Sequence, residues 1–339
     1  MRTKEMIMIE NAPEVEGLTF RKYLGEEDLP AMHAVIEGSR EADKEDYTET
    51  LQDMENQYKH LVNCDPNEDI IIVEIDGDVV GYGRFWWRLE DNTIDGKEYI
   101  YSSFANLLPE YRGYGIRKAM LEWQEAALQK YIGSHPDDVS KSFQGWSSDA
   151  TEEYNAILKD LGYEPVRYFI EMTRPIDTPL PVAPMPEGLE VRPALPEHID
   201  QIWDADQEAF EDHFGFTPAT EDDKKRWLSS RVFNPKLWTV AWEGDEVCGM
   251  ILNFVDEKEN EEFNRKRGYT EDISTRRPWR RRGLAKALLV KSIQMFKEMG
   301  MEETALGVDT INPSGAHKLY EDVGYKAYKR YSTWRKKIK

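Results

Sequence analysis

The chain contains 339 residues, and its 65 Asp and Glu residues outnumber its 44 Lys and Arg residues, which gives a formal net charge of −21. This length favours two or three domains, and a hydrophobic fraction of 40% is sufficient for folded cores. The excess of negative charge disfavours nucleic acids and anionic membranes as partners.

Taken in chain order, the first part of the sequence predicts a series of elements that the second part repeats. A strand, a proline-containing turn and a helix begin at Gly17 and again at Gly188. A strand, a Gly-Asp turn and a second strand then occupy residues 69–85 and 236–254, a pattern typical of a β-hairpin. Both parts therefore begin with the same order of elements.

The later elements recur as well. Residues 107–128 resemble residues 275–296, and each segment predicts a turn rich in Gly or Arg followed by an amphipathic helix. Residues 154–168 resemble residues 316–330, where a helix precedes a Gly-Tyr pair. This pattern predicts an α/β fold, with a mostly antiparallel sheet flanked by helices, that is present twice.

A proline-rich segment separates the two copies. Residues 174–188 carry five prolines, a composition typical of an extended connector. We predict an N-terminal domain over residues 1–175, a linker over 176–187 and a C-terminal domain over 188–339. The two domains are called the first half and the second half below.

The turn before the long helix of the second half concentrates positive charge in an otherwise acidic chain. Six basic residues lie between positions 276 and 286, and Gly283 stands at the predicted start of the helix. Amides at a helix N-terminus bind anions, glycine allows close approach, and arginine adds donors for phosphate oxygens. The sequence contains neither a Walker loop nor a GxGxxG dinucleotide motif. The alternative is a solvated turn without a ligand.

Residues 280–285, RRRGLA, resemble the R/Q-x-x-G-x-G/A signature of the GNAT superfamily of N-acetyltransferases, and residues 312–325 resemble the second part of that family's pattern. The resemblance covers nearly the whole chain as two tandem domains, in the arrangement of mycothiol-synthase-like members. It implies an acyl-CoA site with the pyrophosphate on the 280–285 turn. The implied cofactor-binding residues are Ile273, Ser274, Thr275, Arg280, Arg281, Arg282, Gly283, Leu284, Ala285, Lys286 and Asn312.

The same resemblance implies a catalytic apparatus in the second half. Tyr320 stands where the family places the acid that protonates the leaving thiolate, and the backbone amides at 273–275 would bind the thioester oxygen. The family's carboxylate position falls near Gly307, so Glu271 is the candidate base, acting through water. Asp272 and His213 are alternative bases, and an ordinary surface carboxylate is the alternative interpretation of Glu271.

The first half departs from the family pattern at two positions. Leu158 stands where the second half has Tyr320, and Arg117 stands where the family has Gly or Ala. A leucine cannot donate a proton, so we predict that the first half is catalytically degenerate. A second cofactor site, formed by Arg112, Gly113 and Gly115, remains open.

The predicted function is transfer of an acetyl group from acetyl-CoA to a primary amine of a small molecule. His213 and Phe214, in an aromatic segment between the first two helices of the second half, are the candidate substrate contacts. A non-catalytic CoA-binding scaffold or sensor is the alternative function. We expect no metal and no nucleic acid as partners, and a monomer and a homodimer both remain open.

The two cysteines, Cys64 and Cys248, lie far apart and belong to no CxxC or Cys/His cluster. This spacing disfavours a disulfide framework and a zinc site. The N-terminal residues lack the apolar core of a signal peptide, and the longest apolar runs are too short to span a bilayer. We therefore expect a cytoplasmic protein without a membrane partner.

Overall fold

The computed structural model describes residues 4–92, 96–311 and 315–338. Within these ranges the first half forms β1 (Leu18–Lys22), α1 (Leu29–Asp43), α2 (Leu51–Lys59), β2 (Ile70–Ile75), β3 (Asp78–Asn92), β4 (Gly96–Leu107), α3 (Ile116–Ile132), β5 (Ser140–Ser148), α4 (Glu152–Asp160) and β6 (Glu164–Pro175).

The second half repeats this order with small additions. It forms β7 (Glu190–Arg192), α5 (Ile199–Phe210), α6 (Glu221–Leu228), β8 (Thr239–Glu243), β9 (Glu246–Ile251), α7 (Glu257–Glu262), β10 (Arg267–Tyr269), β11 (Ser274–Thr275), α8 (Leu284–Glu298), β12 (Glu303–Asp309), α9 (Ala316–Val323) and β13 (Lys326–Lys337). The predicted α/β fold with mostly antiparallel pairing is confirmed.

Local sequence signals set several of these element boundaries. Thr50 caps α2 and Thr220 caps α6, each by accepting a hydrogen bond from the amide of an aspartate three residues later. In both cases the aspartate carboxylate bonds back to the threonine amide, which completes a capping box. The turn of the first hairpin is formed by residues 76 and 77, one position earlier than the predicted Gly-Asp pair. Both residues adopt positive φ angles, 53° and 93°, as the central residues of a type I′ hairpin turn do.

The strands of the described ranges form two sheets. The larger has nine strands in the order β1-β2-β3-β4-β5-β13-β6-β12-β10, and the smaller has four in the order β11-β9-β8-β7. Most neighbours are antiparallel, while β4–β5 and β10–β12 are parallel. Helix α3 packs on β3 and β4, and α8 packs on β8 and β9, so a separate apolar core forms beneath each long helix.

The two halves exchange their last strands. Strand β6, which ends the first half, pairs with β12 of the second half, and β13, which ends the second half, pairs with β5 of the first half. The two exchanged strands also pair with each other. The boundaries at 175 and 188 remain a prediction about the sequence repeat, since the large sheet runs across them.

Arg174 illustrates how the exchanged strand supports the second half. This arginine of β6 is fully buried, and its Nε donates to the carbonyl of Val323 at the end of α9 at 2.8 Å. Its Nη1 donates to the carbonyls of Pro175 at 3.0 Å and Ile176 at 3.3 Å, and its Nη2 donates to the carbonyl of Thr178. One side chain of the first half therefore supplies a hydrogen-bond donor to the carbonyl at the end of helix α9 in the second half.

We expect Arg174→Met to lower the free energy of unfolding by about 3 kcal/mol, because it leaves several buried carbonyls without donors. Chemical denaturation of the full chain measures this loss. Arg330→Met, which removes an exposed arginine of β13 that pairs with Asp149, is the matched control and should change stability by less than about 1 kcal/mol. Equal effects of the two substitutions would contradict the assigned role of Arg174.

Among the residues that the structure describes, no helix combines the length and the apolar character needed to cross a membrane.

Candidate active site

The sheet of the second half opens where the chain changes partners around Asp272. Upstream, β10 pairs with β12, and this pairing ends at Thr270, whose amide donates to the carbonyl of Ala305 at 2.9 Å. Downstream, β11 pairs with β9 in the other sheet. Asp272 has a φ of 47°, a left-handed conformation that few non-glycine residues adopt. This irregularity separates β11 from β12 and leaves a gap between them.

Two backbone amides point into this gap. Ser274 lies opposite Met250, and the amide of Arg276 donates to the carbonyl of Cys248 at 3.0 Å, so both face β9. Because amide direction alternates along an antiparallel strand, the amides of Ile273 and Thr275 point to the opposite side. Amides in this orientation are suited to stabilise an oxyanion.

Helix α8 begins beside the same gap. Gly283, immediately before it, has a φ of 86°, and no atom lies within 4 Å of where its Cβ would be. The first backbone bond of the helix runs from the amide of Ala287 to the carbonyl of Gly283 at 3.1 Å. Within the described ranges, the amides of residues 284–286 donate to no backbone carbonyl. They form the free N-terminal turn that an anion requires.

The basic residues of the preceding turn and of the first turn of α8 divide into two groups. Arg276 pairs with Glu208 and Arg277 with Asp212, while Arg282 donates to the carbonyl of Glu187. The guanidinium of Arg280 donates to Asp212 at 2.7 Å and to the carbonyls of Thr275 and Ala209, so it fastens the turn to α5.

Arg281 and Lys286 form the second group. Neither makes a hydrogen bond or an ion pair with any other residue that the structure describes, and both line the cavity described below. Arg281 is held at a φ of 61°, which costs on the order of 1 kcal/mol for a non-glycine residue. The first half has Gly113 at this position, with a φ of 83°. A charged side chain therefore occupies a strained position beside the free helix terminus.

A cavity of about 1620 Å³ joins these features and extends into both halves. In the second half it reaches the start of α8, where residues 283–286 line it. In the first half Arg117, the second residue of α3, lines it, whereas Gly113, Gly115 and Ile116 do not. The N-terminal turn of α8 therefore contributes four successive residues to the cavity wall, whereas α3 contributes the side chain of Arg117.

Arg117 explains the difference between the two halves. Its side chain is only 4% exposed, pairs with Glu153 at 2.9 Å, and lies over the ring of Tyr154 at 5.2 Å. The equivalent position of the second half is Ala285, which leaves that space empty. Arg112 is fastened to Asp43 in the way that Arg280 is fastened to Asp212. A second cofactor site at Arg112, Gly113 and Gly115 remains a prediction, and this packing disfavours it.

Tyr320 lines the cavity, whereas its first-half counterpart, Leu158, does not. Tyr320 lies on α9, is 5% exposed and lines the cavity. Its hydroxyl makes no hydrogen bond within the described ranges. Burial raises the pKa of the Tyr320 phenol, and the nearby Glu271 raises it further, so the phenol is protonated at neutral pH. Leu158 is fully buried, and it contacts Gly145 in the core of the first half.

Glu271 reaches the position that the sequence analysis identified as lacking a carboxylate. Its Oε1 accepts a hydrogen bond from the amide of Gly307 at 2.8 Å, across the gap. Burial raises the pKa of Glu271 to about 8, and the charges of Asp272 and Glu171 act in the same direction. A carboxyl group with a pKa near neutrality, at the wall of a cavity, is suited to exchange protons with a substrate.

The structure separates the two predicted substrate contacts. His213 lines the cavity, and burial together with the charge of Arg280 lowers its pKa. Phe214 does not line the cavity, because its ring is packed between the guanidinium groups of Arg167 and Arg335 at 4.8 and 4.6 Å. Phe214 thus joins the halves rather than facing a ligand. Asn312 lies outside the described residues.

Comparison with known proteins identifies the family. Residues 32–136 and 199–325 match the model of the acetyltransferase (GNAT) family, which is more than half of the chain. The chain belongs to this family. The two matched segments fall in the two halves, so the protein is a tandem GNAT N-acetyltransferase, and the family uses acetyl-CoA as its acetyl donor.

This GNAT protein is similar to two mycothiol acetyltransferases. It is 26% identical over 223 residues to the mycothiol acetyltransferase of Thermobispora bispora. The aligned region covers 64% of this chain and 70% of the relative. The mycothiol acetyltransferase of Salinispora arenicola is also 26% identical, over 225 residues that cover 64% of this chain and 67% of the relative.

Solved structures agree with this arrangement. A GCN5-related N-acetyltransferase from Sphaerobacter thermophilus is 26% identical and has a TM-score of 0.70, covering 96% of this chain and 97% of that one. A tandem GNAT protein from the clavulanic acid biosynthesis pathway has a TM-score of 0.64 at 12% identity, covering 94% and 98%, and it shares the fold.

Sequence reasoning missed several features of the GNAT site. The contact between Glu271 and Gly307 joins two strands that are far apart in the chain, so no local motif indicates it. The different roles of Arg280 and Arg281, adjacent residues of the same type, depend on the position of Asp212 at the end of α5. The sequence signal that could have distinguished the two arginines is Gly113, the glycine that occupies the position of Arg281 in the first half.

Proposed function

We propose that the second half transfers an acetyl group from acetyl-CoA to a primary amine of a small molecule, and that the first half does not catalyse the reaction. The observation that carries this proposal is the cavity. It connects the free terminus of α8 to Tyr320 and Glu271 in the second half, whereas Arg117 fills the equivalent space of the first half.

The donor would lie along the gap between β11 and β12. The amides of residues 284–286 and the unpaired side chains of Arg281 and Lys286 provide donors and positive charge for a pyrophosphate. The amide of Ile273 would donate a hydrogen bond to the thioester oxygen and stabilise the negative charge that develops during attack. Both groups lie on the wall of one cavity, which supports their use by one ligand.

The proton transfers follow from the two buried groups. The amine nitrogen attacks the thioester carbon, and the carboxylate of Glu271 accepts the proton that the nitrogen loses, directly or through water. The carbon–sulfur bond then breaks, and the phenol of Tyr320 gives its proton to the departing sulfur. Glu271 then releases its proton to solvent and Tyr320 recovers one, so the products are an N-acetyl amine and the free thiol of CoA.

The charge of the cavity supports an amine as the acceptor. Beside the main cavity lies a smaller one of about 510 Å³, and Glu49, Glu171 and Glu271 line both. Carboxylates on this wall attract a cationic substrate, and the raised pKa values of Glu49 and Glu271 make that attraction stronger as the pH rises. The named relatives are mycothiol acetyltransferases, so small-molecule amines of that kind belong in the first panel of acceptors.

The test is release of free thiol from acetyl-CoA in the presence of a panel of small primary amines, with the N-acetyl product confirmed by mass spectrometry. Turnover that depends on the amine would support the proposal. Tight binding of acetyl-CoA without transfer to any acceptor would favour the scaffold function instead.

The pH dependence of the reaction should report Glu271. Its carboxyl group has a pKa of about 8, so the carboxylate needed as a base forms as the pH rises through that value, and kcat/KM should rise with it. Glu271→Gln should remove this limb and lower kcat/KM roughly 100-fold at pH 8. The measurement is a pH profile of both proteins with the same amine.

Glu171→Gln is the control that distinguishes titration of the Glu271 carboxyl group from titration of the substrate amine. The charge of Glu171 raises the pKa of Glu271, so removing that charge should move the limb to lower pH. An amine that titrates in free solution would give a limb at the same pH in both proteins. A limb that Glu171→Gln leaves in place would therefore count against Glu271 as the base.

A further inference from the structure

Arg84 occupies an unusual environment in the first-half arm of the cavity. It lies on β3, is only 8% exposed and lines the cavity wall. Three aromatic rings surround its guanidinium, with centroids at 5.0 Å for Tyr58, 5.2 Å for Trp86 and 5.6 Å for Phe104. These rings orient the cation through contacts with their faces, but they do not satisfy its N–H donors.

Two of the three guanidinium nitrogens of Arg84 are buried without a hydrogen-bond partner. Its Nε and Nη1 are buried without a hydrogen bond, and the side chain forms no ion pair with any residue in the described ranges. Other arginines of this arm are paired, since Arg40 bonds to Glu262 and Arg117 bonds to Glu153. A buried charge without a partner is costly, so its persistence beside a cavity indicates that a partner arrives from outside the chain.

Glu49 does not supply the missing partner. It lines the same cavity, and its carboxyl group is close enough to feel the charge of Arg84, but the two form no ion pair. Burial and the charge of Asp53 raise the pKa of Glu49, whereas Arg84 opposes that increase. The hydroxyl of Tyr58 is also buried without a hydrogen bond. The charge of Arg84 is therefore incompletely compensated.

We propose that the first-half arm binds a small carboxylic acid, whose carboxylate pairs with Arg84 and whose apolar part packs against Trp86 and Phe104. One unpaired guanidinium with an acidic neighbour suits a monoanion better than a phosphate dianion, which would meet the charge of Glu49. The carboxylate pairs with the guanidinium through Nη2, the nitrogen of Arg84 that is not among the fully buried atoms.

This site is distinct from the reaction centre of the second half. Arg84 lies on β3, and the strands β4, β5, β13 and β6 separate it from β12, beside which Tyr320 lies. Five strand-to-strand steps of about 4.8 Å give a separation of about 24 Å along the sheet. The proposal therefore stands whether or not the second half is the catalytic one.

The experiment is isothermal titration of benzoate and of benzamide, its neutral isostere, into the full chain. We expect benzoate to bind at least 10-fold more tightly than benzamide, because only benzoate supplies a negative charge. Arg84→Gln should weaken benzoate binding about 10- to 100-fold, and Arg84→Lys should weaken it less. Arg330→Gln, which removes an exposed arginine elsewhere, should leave the affinity unchanged.

Three results would overturn the proposal. Equal affinities for benzoate and benzamide, or no binding of either, would exclude a carboxylate site. Tighter binding of inorganic phosphate through the same arginine would reassign the ligand. Loss of benzoate binding at saturating acetyl-CoA would place the ligand in the donor site. Thermal unfolding of Arg84→Gln verifies its fold, and Arg84→Lys keeps the test decisive if that variant is unstable.

Discussion

Replacing Tyr320 with phenylalanine is expected to lower kcat for acetyl transfer by roughly 10²- to 10⁴-fold, the usual effect of losing a general acid. The substitution removes one oxygen atom from a side chain whose ring is packed among Tyr325 and its neighbours, so the fold should persist. The hydroxyl makes no hydrogen bond within the described ranges, and no internal bond is therefore lost. The effect should appear in turnover rather than in acetyl-CoA affinity.

The measurement is steady-state release of CoA thiol at saturating amine, together with titration of acetyl-CoA. Tyr154→Phe is the matched control, because Tyr154 is a buried tyrosine on α4, the first-half counterpart of α9. Its hydroxyl is buried in the first half, and turnover should stay within about twofold of the wild type. A kcat of Tyr320→Phe equal to that of the wild type would exclude Tyr320 as the acid.

Replacing Ala285 with arginine should weaken binding of acetyl-CoA by roughly 10²- to 10⁴-fold. This substitution copies into the second half the residue that fills the equivalent space of the first half, Arg117. Overpacking costs about 1–3 kcal/mol, and loss of one hydrogen bond to a charged phosphate costs about 1.5–3 kcal/mol. Together these effects should prevent a pyrophosphate from resting on the first turn of α8.

Isothermal titration of acetyl-CoA into the two proteins measures this effect, and the wild type should bind one equivalent. Ala285→Ser, which keeps a small side chain, should retain the affinity. Arg117→Ala tests the reciprocal change and should leave the affinity of the second half intact. A stoichiometry of two in the wild type would show that the first half binds acetyl-CoA despite Arg117.

Much of the fold and part of the candidate site could be predicted from the sequence. The duplicated pattern predicted the order of strands and helices in both halves, because hydrophobic periodicity and turn residues act over short stretches of chain. The glycine before α8 and the contrast between Tyr320 and Leu158 were also readable, since they depend on residue identity at one position. The family match confirms the tandem GNAT interpretation of those motifs.

Only the tertiary structure decided the features that depend on contacts between distant segments. The exchange of β6 and β13 changes which strands pair without changing the pattern of either strand, so the sequence cannot distinguish it from two separate sheets. The bond from Gly307 to Glu271 depends on the same long-range pairing.

The sequence by itself determined that this protein is a duplicated α/β chain, and it predicted one acetyl-CoA turn and one proton donor, because those properties reside in local patterns. The tertiary structure decided which basic residues are free to bind a ligand. Asp212 takes the donors of Arg280, whereas Arg281 and Arg84 keep theirs. The physical reason is that a side chain's charge is fixed by its type, but its availability is fixed by the partners that folding brings within reach.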